Sequence, residues 1–241
     1  MKKTLVLTIL TLLTLKVFCQ IIPDSYGTIL IKHTYYQVGL DPQTKVASWV
    51  MHTMTPKMAQ DLATDVPRED AFRPDPLVEK ELQGSDADYR SSGYDRGHLC
   101  PAEDMDFNAS AMLECFYYTN MAPQNPTLNR GLWRKIETIS RGWAQSDTVH
   151  IITGTFSEPN GKFIGKGISV PTYFYKIVVD KNYTKSIAFI TPNIKPIYDV
   201  KNYITTIDKI EELTGVDFFE KLNDDLENKL EEKSDLNHFK L

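Results

Sequence analysis

Alternating apolar and polar positions predict several β-strands. Two such runs cover residues 29–36 and 46–54, with the turn-forming pair Asp41-Pro42 between them. Further strand-like runs cover residues 111–119, 148–154, 168–179 and 186–190. Residues 55–89 are mostly polar and contain four prolines, which predicts a long surface connection with room for one short helix.

One helix is predicted in more detail, beginning at Asn125-Pro126. Asparagine is a favourable N-cap residue, and proline is favoured at the first helical position. Apolar residues then recur at spacings of three and four, which predicts one buried face. They are Leu128, Leu132, Ile136, Ile139 and Trp143. Tryptophans 133 and 143 are therefore predicted to be core residues.

The last third of the chain adds a second helix. It is predicted over residues 200–213, with Thr214-Gly215 as its C-cap. The amphipathic, acidic residues 218–230 fit either a further helix or a frayed tail. Strands and helices mix without a regular βαβ alternation. We therefore predict an α+β fold with a mixed, largely antiparallel sheet flanked by helices.

The first 19 residues have the pattern of a cleaved signal peptide. Two lysines precede an apolar run at residues 5–15, and Val17 and Cys19 are placed like the small residues of a cleavage site. The run is shorter than the roughly 20 apolar residues that span a bilayer. A retained anchor and acylation of Cys19 remain alternatives. Cleavage predicts an exported protein, periplasmic or secreted, with no stable membrane insertion and with one domain over residues 20–241.

Composition and charge restrict the function. The 241 residues are 24% charged and 41% hydrophobic, as expected of a globular domain. The net charge of −5 would become −8 without residues 1–19, and the acidic segment 217–241 supplies −4 of it. This charge counts against a protein that coats nucleic acid, which needs clustered lysine and arginine. It permits an enzyme that holds a single phosphate. We assign no function to the acidic segment.

Without Cys19, two cysteines remain. Export would permit a disulfide between Cys100 and Cys115, but two buried thiols fit the sequence equally well. No chemistry considered below requires a thiolate.

The segment around residues 92–105 carries the most chemical information. It places an aspartate, an arginine and a histidine in the run Asp-Arg-Gly-His at residues 95–98. Glycines 93 and 97 permit unusual backbone angles or close approach of another backbone. Histidine has an ordinary pKa of about 6.5, which suits removal of a proton from water near neutral pH. We expect His98 to be functional and the histidines at 33, 52, 150 and 238 to be structural.

A second segment concentrates carboxamides before the predicted helix and in its first turn. They are Asn120, Gln124, Asn125 and Asn129. A hard cation such as Mg²⁺ prefers oxygen ligands and often takes only one or two protein groups. The side-chain oxygen of Asn129 is therefore a candidate ligand. Helix capping alone is the structural alternative for this cluster.

Together these segments resemble the signature of the DNA/RNA non-specific endonucleases. The first block is Asp-Arg-Gly-His at 95–98 with Pro-Ala at 101–102 and Asp104. The second is Thr-Asn-x-x-Pro-Gln-x-x-x-x-Asn-x-Gly-x-Trp-x-x-x-Glu at 119–137. Weaker similarities extend the resemblance over about residues 25–225. Two long blocks in the same order are far more specific than the four-residue run alone.

The resemblance implies roles for residues at matching positions. His98 would be the general base, and Asn129 the only side chain bound directly to Mg²⁺, with Mn²⁺ as a substitute. A strand pair would present the histidine and a helix the ligand, as in a ββα-metal motif. Glu137 lies about 12 Å further along the helix, so it would support the site indirectly. Asn120 would orient the site around His98.

Three further residues are implied to contact substrate. Arg96 and Gln124 would contact phosphate or support the loop. Arg68 resembles the family arginine that stabilises the phosphate, with Arg73 and Arg90 as alternatives for that role. Backbone contacts of this kind carry no sequence information, so both DNA and RNA are expected substrates. The resemblance implies 5′-phosphate and 3′-hydroxyl products and leaves the oligomeric state open, a homodimer included.

Two rival functions remain at this point. A hydrolase of small phosphodiesters would use the same metal site, because groove shape sets substrate length. A silent nucleic-acid-binding or structural relative would be expected to lack His98 or Asn129, and both residues are present.

Overall fold

The computed structural model describes residues 28–61, 66, 68 and 71–241. The predicted signal peptide lies outside these residues. The strands are β1 (Ile29–Lys32), β2 (Tyr36–Asp41), β3 (Val46–Met54), β4 (Asp95–His98), β5 (Met121–Gln124), β6 (Val149–Phe156), β7 (Phe163–Ile164), β8 (Ile168–Ser169), β9 (Tyr173–Asp180), β10 (Ser186–Pro192) and β11 (Ile204–Thr205). Seven form one antiparallel sheet in the order β1-β2-β3-β6-β9-β10-β11, while β4 pairs with β5 and β7 with β8.

Six α-helices accompany the strands in the described part of the chain. They are α1 (Pro56–Asp61), α2 (Asp86–Tyr89), α3 (Ala109–Cys115), α4 (Arg134–Ala144), α5 (Ile207–Thr214) and α6 (Asp224–Glu231). A π-helical stretch, Leu128–Trp133, leads directly into α4. Short 3₁₀ turns cover Lys80–Leu82, Ala102–Asp104, Tyr118–Asn120 and Val200–Tyr203. The predicted α+β fold, with its largely antiparallel sheet, is confirmed.

The large sheet is covered on both faces. Alternate residues of β3 and β9 enter two separate apolar cores, as the period-2 geometry of strands requires. Val50 and Val178 pack in the core that contains Leu132 and Trp133 of the π-helical stretch. Met51, on the opposite face, packs in the core formed with α5 and α6. This arrangement places the helix that carries Asn129 against one face of the sheet.

The strand predicted at residues 111–119 is wrong, because this region begins with helix α3. The Asn108 side chain caps the helix by accepting hydrogen bonds from the backbone N–H groups of Ser110 (2.8 Å) and Ala111 (3.2 Å). Ala111 and Cys115, four residues apart, are both fully buried. A short apolar run does not distinguish a buried helix from a strand, and here the cap decides.

Other predicted elements are confirmed with shifted boundaries. A turn at residues 33–35 divides the first run into β1 and β2, and the predicted run 168–179 contains β8 and β9. The predicted helix over 200–213 begins as a 3₁₀ turn, passes through β11 and becomes α-helical only at Ile207. It ends as predicted at Gly215, whose φ of 70° lies in the left-handed region that glycine favours.

The C-terminal segment is docked rather than frayed. Helix α6 buries Leu230, and Ser186 of β10 donates a 2.5 Å hydrogen bond to the Leu230 carbonyl. Phe239 is 1% exposed and packs against Trp143. The Trp143 indole also donates to the Lys240 carbonyl at 3.0 Å. Trp133 is fully buried and Trp143 half-buried, as expected of core residues.

The predicted surface connection at residues 55–89 lies only partly on the surface. It contains α1 and α2, and the backbone of Arg73 forms hydrogen bonds with Phe116 and Tyr118. Asp75 is 2% exposed and accepts hydrogen bonds from His33 (2.9 Å) and Thr119 (2.6 Å). The segment is therefore tied to the region that precedes β5.

Both cysteines of the described chain are buried free thiols. Burial raises the pKa of Cys115 to about 12, so its thiolate is disfavoured at neutral pH. Of the alternatives left open by the sequence, two inert thiols are therefore the observed state. None of the helices in the described part of the chain is long and apolar enough to cross a membrane.

The remaining histidines have structural partners. His52 forms a buried 2.8 Å contact with Asp104, and His150 forms a hydrogen bond with Thr53 at 2.8 Å and stacks on Tyr183. Burial lowers the pKa of His150 to about 4. The unfolded chain therefore takes up a proton below about pH 6.5 that the folded protein takes up only near pH 4.

Replacing His150 with glutamine is expected to weaken the pH dependence of stability. His150 binds more protons in the unfolded state between pH 6.5 and 4, so its contribution to the free energy of unfolding falls as the pH falls through that window. Between pH 7 and 5 the loss is about 2 kcal/mol. Urea unfolding at both pH values should show a smaller decrease for His150→Gln than for the wild type. An equal decrease in both proteins would show that His150 does not cause this part of the pH dependence.

Candidate active site

A two-stranded ribbon presents His98. Strand β4 pairs with β5 in antiparallel register, with His98 opposite Met121 and Asp95 opposite Gln124. Glycine at position 97 permits this close packing against Gln124. The Cβ atom of any larger residue at this position would lie 2.3 Å from the Gln124 side-chain oxygen. Gln124 itself is fully buried. The structure thus places Gln124 in the interior beneath the ribbon, away from the position that a phosphate contact requires.

Asn120 fixes the chain immediately after His98. Its side-chain oxygen accepts a hydrogen bond from the Cys100 N–H at 2.8 Å. Its amide donates to the carbonyls of Cys100 (2.9 Å) and Cys115 (2.8 Å). The side chain is fully buried and satisfied by backbone groups. Asn120 therefore lies behind the site and connects the histidine strand to the end of α3.

Substituting Asn120 with alanine is expected to destabilise the protein by about 3 kcal/mol, because one N–H and two carbonyl groups would lose a buried partner. Chemical denaturation measures this loss. Asn120→Asp retains the acceptor for the Cys100 N–H but neither donated hydrogen bond, so its stability should also fall. Stability equal to the wild type in the alanine variant would contradict the role as a backbone clamp.

Two aromatic rings hold the imidazole of His98. The ring centroid of Phe116 lies 4.9 Å away in an edge-on arrangement, and that of Phe72 lies 5.8 Å away. Each ring also contacts an arginine, with Arg68 5.5 Å from the Phe116 centroid and Arg96 4.9 Å from the Phe72 centroid. Half-buried His98 thus shares one aromatic neighbour with each of these two arginines.

Arg96 is held from a second side. Its guanidinium donates to Asp86 at 2.5 Å, and Asp86 also accepts a 2.7 Å hydrogen bond from Tyr118. Hydrogen bonding to Tyr118 and the charge of Arg96 lower the pKa of Asp86. The ionised carboxylate therefore fixes Arg96 without requiring a change in protonation.

The helix that follows β5 begins as the sequence predicts. The Asn125 side chain accepts from the backbone N–H groups of Thr127 (2.9 Å) and Leu128 (3.3 Å). Asn193 accepts from the Asn125 N–H at 2.7 Å and donates to the carbonyls of Pro123 and Pro171. The first turns are π-helical, a geometry often found at functional sites.

Asp95 determines the orientation of the Asn129 side chain. The Asn129 amide nitrogen donates to an Asp95 carboxylate oxygen at 2.9 Å. Arg130 donates to both oxygens of the same carboxylate, at 2.8 and 2.6 Å. Because the nitrogen of Asn129 is committed to Asp95, its side-chain oxygen is directed elsewhere. A carboxamide held in this way offers an oxygen ligand to a cation.

Glu137 follows on the same helix and is 7% exposed. Burial raises the pKa of its carboxyl group, and the charge of the buried Lys176 opposes this rise. Lys176 is itself held by Thr153 and lies 5.3 Å from the centre of the Trp133 ring. The glutamate is thus a buried, poorly solvated group.

A network of ion pairs supports the other side of the site. Arg141 donates to buried Asp104 at 2.7 Å and lies 3.7 Å from Glu103. Glu103 in turn lies 3.9 Å from Arg68. Of the three arginines considered for the phosphate, Arg68 is brought to the cleft, whereas Arg73 donates to the Ala71 carbonyl and Arg90 lies at the end of α2.

These elements enclose one cleft of about 230 Å³. It is lined by Arg68, Arg96, His98, Pro101, Ala102, Glu103, Asn129, Arg130, Arg134 and Glu137. A wider depression adjoins it, also bordered by Arg96 and Asn129, with Phe72 and Tyr94 among its lining residues. Five residues singled out by the sequence therefore meet here, while Asn120 lies behind the cleft and Gln124 lies inside the protein.

Two arginines of the cleft received no role from the sequence, and neither did Asp95, which lines the adjoining depression. Arg130 and Arg134 are four residues apart on the helix, a spacing that places both on one face, and this signal was available. Asp95 was recognised within the four-residue run but received no role. Its contact with Asn129 joins residues 34 positions apart, so the sequence pattern contained no sign of it.

Comparison with known proteins confirms the family resemblance that the sequence motifs indicated. Residues 18–225 match the family model described as DNA/RNA non-specific endonuclease. Human mitochondrial endonuclease G is 32% identical over 200 residues, covering 76% of this chain and 67% of that protein. The mitochondrial nuclease of Saccharomyces cerevisiae is 32% identical over 207 residues, covering 75% and 62%. The chain therefore spans about two thirds of the length of these relatives.

A solved structure agrees with the sequence matches. A chain of the EndoG/EndoGI complex superimposes with a TM-score of 0.72 at 26% identity, covering 85% of this chain and 91% of that chain.

The predicted cellular location, export to the periplasm or the medium, is wrong. Endonuclease G from human and the nuclease from S. cerevisiae are mitochondrial proteins, which points to mitochondria rather than to the periplasm or the medium.

The similarity covers both sequence blocks, the helix and the large sheet. The chain belongs to the DNA/RNA non-specific endonucleases, a family of metal-dependent nuclease hydrolases.

Proposed function

We propose that the protein hydrolyses phosphodiester bonds within DNA and RNA with little preference for base sequence. The observation that carries this proposal is the cleft in which His98 and the oriented carboxamide of Asn129 lie beside four arginines. A nuclease needs a base to activate water, an oxygen ligand for a cation and positive charge for the phosphate. The cleft contains all three.

His98 acts as the general base. Its imidazole is half-buried, and the rings of Phe72 and Phe116 restrict its orientation. A base must lie within hydrogen-bonding reach of the proton that it removes, so this restriction favours one direction of attack. Asn120 contributes indirectly as a positioning residue, because it fixes the backbone beyond His98.

The residues of the cleft fit Mg²⁺. Asn129 offers a neutral oxygen whose direction Asp95 determines, and Glu137 offers a carboxyl group on the same helix for indirect support. Oxygen donors of this kind suit Mg²⁺, and Mn²⁺ as a substitute. A bound Mg²⁺ would supply charge stabilisation for the phosphate and the departing 3′-oxygen.

The arginines bind the phosphate. Arg96 is held by Asp86 and Phe72 and borders both depressions, so it is suited to position the substrate backbone. Arg68 lies beside the same ring as His98 and stabilises charge on the reacting phosphate. Contacts limited to the backbone distinguish neither bases nor sugars. The products are expected to carry 5′-phosphate and 3′-hydroxyl ends.

A plasmid assay tests the proposal. Supercoiled DNA and a structured RNA are incubated with the protein in Mg²⁺, in Mn²⁺ and in EDTA, beside a small phosphodiester such as bis-p-nitrophenyl phosphate. Internal cleavage of both nucleic acids that EDTA abolishes is the expected result. Hydrolysis of the small diester alone would reject the endonuclease proposal and favour the smaller substrate class. A homodimer remains a prediction, which light scattering of the purified protein tests directly.

A further inference from the structure

Five carboxylates converge far along the chain from the cleft. Asp208 and Glu211 lie on α5, Asp217 lies between the helices, and Glu227 and Glu231 lie on α6. We call these five residues the C-terminal carboxylate cluster. Oxygens of Asp208, Glu211 and Glu231 lie within 4.8 Å of one another, as do those of Asp217, Glu227 and Glu231. Glu231 is common to both groups.

Helical spacing explains the convergence. Asp208 and Glu211 are three residues apart, and Glu227 and Glu231 are four apart, so each pair shares one helix face. The two faces meet because Ile210 and Leu230 pack in the same apolar core beneath the sheet. The acids are thus brought together by hydrophobic packing, although like charges at this distance repel.

Glu231 lacks a compensating partner. It is 7% exposed, and its Oε1 atom is buried with no hydrogen-bond donor among the described residues. The Oε1 atom of Glu227 is likewise buried with no hydrogen-bond donor in the described part of the chain. A buried carboxylate without a donor or a counter-charge is strongly unfavourable. This second observation separates the cluster from an ordinary acidic surface.

Two lysines near these acids in the sequence form ion pairs with other acids. Lys209 lies 2.7 Å from Glu212, and Lys233 lies 3.1 Å from Glu232. Glu231 is instead surrounded by the other four carboxylates of the cluster, which cannot donate a hydrogen bond to it while they are ionised. The geometry of the cluster therefore favours uptake of a positive charge.

The ligand chemistry favours a large, hard cation. Calcium binds six to eight oxygens at about 2.3–2.6 Å, so two oxygens on opposite sides of one ion lie about 5 Å apart. The oxygen separations in both groups fall within this limit. Magnesium requires near-ideal octahedral geometry with shorter bonds, which a flexible set of carboxylates on two helices suits less well.

We propose that the C-terminal carboxylate cluster binds one Ca²⁺ ion, with Glu231 as the central ligand, and that this ion joins α6 to α5. None of these five carboxylates lines the cleft, and their two helices pack on the sheet face opposite to the helix that carries Asn129. The site is therefore separate from the proposed catalytic metal, and the proposal does not depend on nuclease activity. Its consequence is stability of the C-terminal segment, which reaches α4 through Trp143.

Thermal unfolding of the whole chain tests the site. Protein freed of metal with EDTA and then dialysed is titrated with CaCl₂ or MgCl₂, in the wild type and in Asn129→Ala, which removes the proposed catalytic ligand. Calcium is expected to raise the Tm of both proteins by about 5 °C or more at 100 times its dissociation constant. Magnesium should give a clearly smaller shift in Asn129→Ala.

Two neighbouring substitutions make the result specific. Glu231→Gln should abolish the calcium-dependent shift while leaving Tm without metal unchanged or higher, because it relieves repulsion. Glu232→Gln, which changes the exposed neighbour, should keep the full shift. If Glu231→Gln does not fold, Glu227→Gln should still weaken calcium binding by at least tenfold in titration calorimetry. No calcium shift in the wild type, an equal shift with magnesium and calcium in Asn129→Ala, or an undiminished calcium shift in Glu231→Gln would overturn the proposal.

Discussion

Replacing His98 with alanine is expected to slow cleavage of supercoiled plasmid by about 10²- to 10⁴-fold, the usual contribution of a positioned general base. The substitution removes the imidazole but leaves the arginines and Asn129 in the cleft, so substrate binding should change much less than turnover. Initial rates at saturating plasmid and Mg²⁺ measure the loss, and the dependence of rate on plasmid concentration separates kcat from KM.

A matched control exists in the same chain. His238 is exposed and lies 3.3 Å from Lys185, remote in sequence from the cleft residues. Its replacement by alanine should leave the cleavage rate within about twofold of the wild type, as for most surface substitutions. A His98→Ala enzyme that retained a similar rate would show that another group activates the water.

The second large effect is expected at Asn129. Alanine at this position removes the oriented oxygen, so we expect the rate to fall by more than about 100-fold and the Mg²⁺ concentration for half-maximal rate to rise. Losses of that size follow even from removing residues that merely orient metal ligands. Asn129→Asp keeps an oxygen in place and should retain more activity than Asn129→Ala. Titration of the initial rate with MgCl₂ measures both quantities.

Asp95 provides a more discriminating variant. Asp95→Ala leaves Asn129 intact but releases its amide nitrogen, so the carboxamide can rotate. We expect the Mg²⁺ requirement to rise by about 10- to 100-fold. Lys135→Ala, an exposed change on the same helix, should have no such effect. Unchanged Mg²⁺ dependence in both Asn129→Ala and Asp95→Ala would refute the assigned ligand.

Local sequence rules predicted the elements with strong periodicity or explicit caps. The spacing of Leu128, Leu132 and Ile136 predicted the helix that carries Asn129, and Asn125 caps it as expected. Turn chemistry predicted the reversal at Asp41-Pro42 and the helix end at Gly215. Each of these signals acts within one or two helical turns, where backbone hydrogen bonding is decided locally.

Short apolar runs were less informative. Residues 111–119 were predicted as a strand and begin with α3, because the Asn108 cap and the surrounding core favour the helix. The pairing of β4 with β5 is not visible in the hydrophobic pattern, since Asp-Arg-Gly-His contains hardly any apolar residues. The resemblance to a known family implied this strand pair, but periodicity did not.

The sequence alone thus determined the α+β class and the family, and it singled out His98 and Asn129, which the structure brings to one cleft. Those inferences rest on residue types at fixed local spacing. Only the tertiary structure decided which groups meet across long separations: Asp95 with Asn129, Gln124 beneath Gly97, and Glu231 among the acids of α5 and α6. Such contacts depend on how the sheet and helices pack, and packing is set by the whole core rather than by any local run of residues.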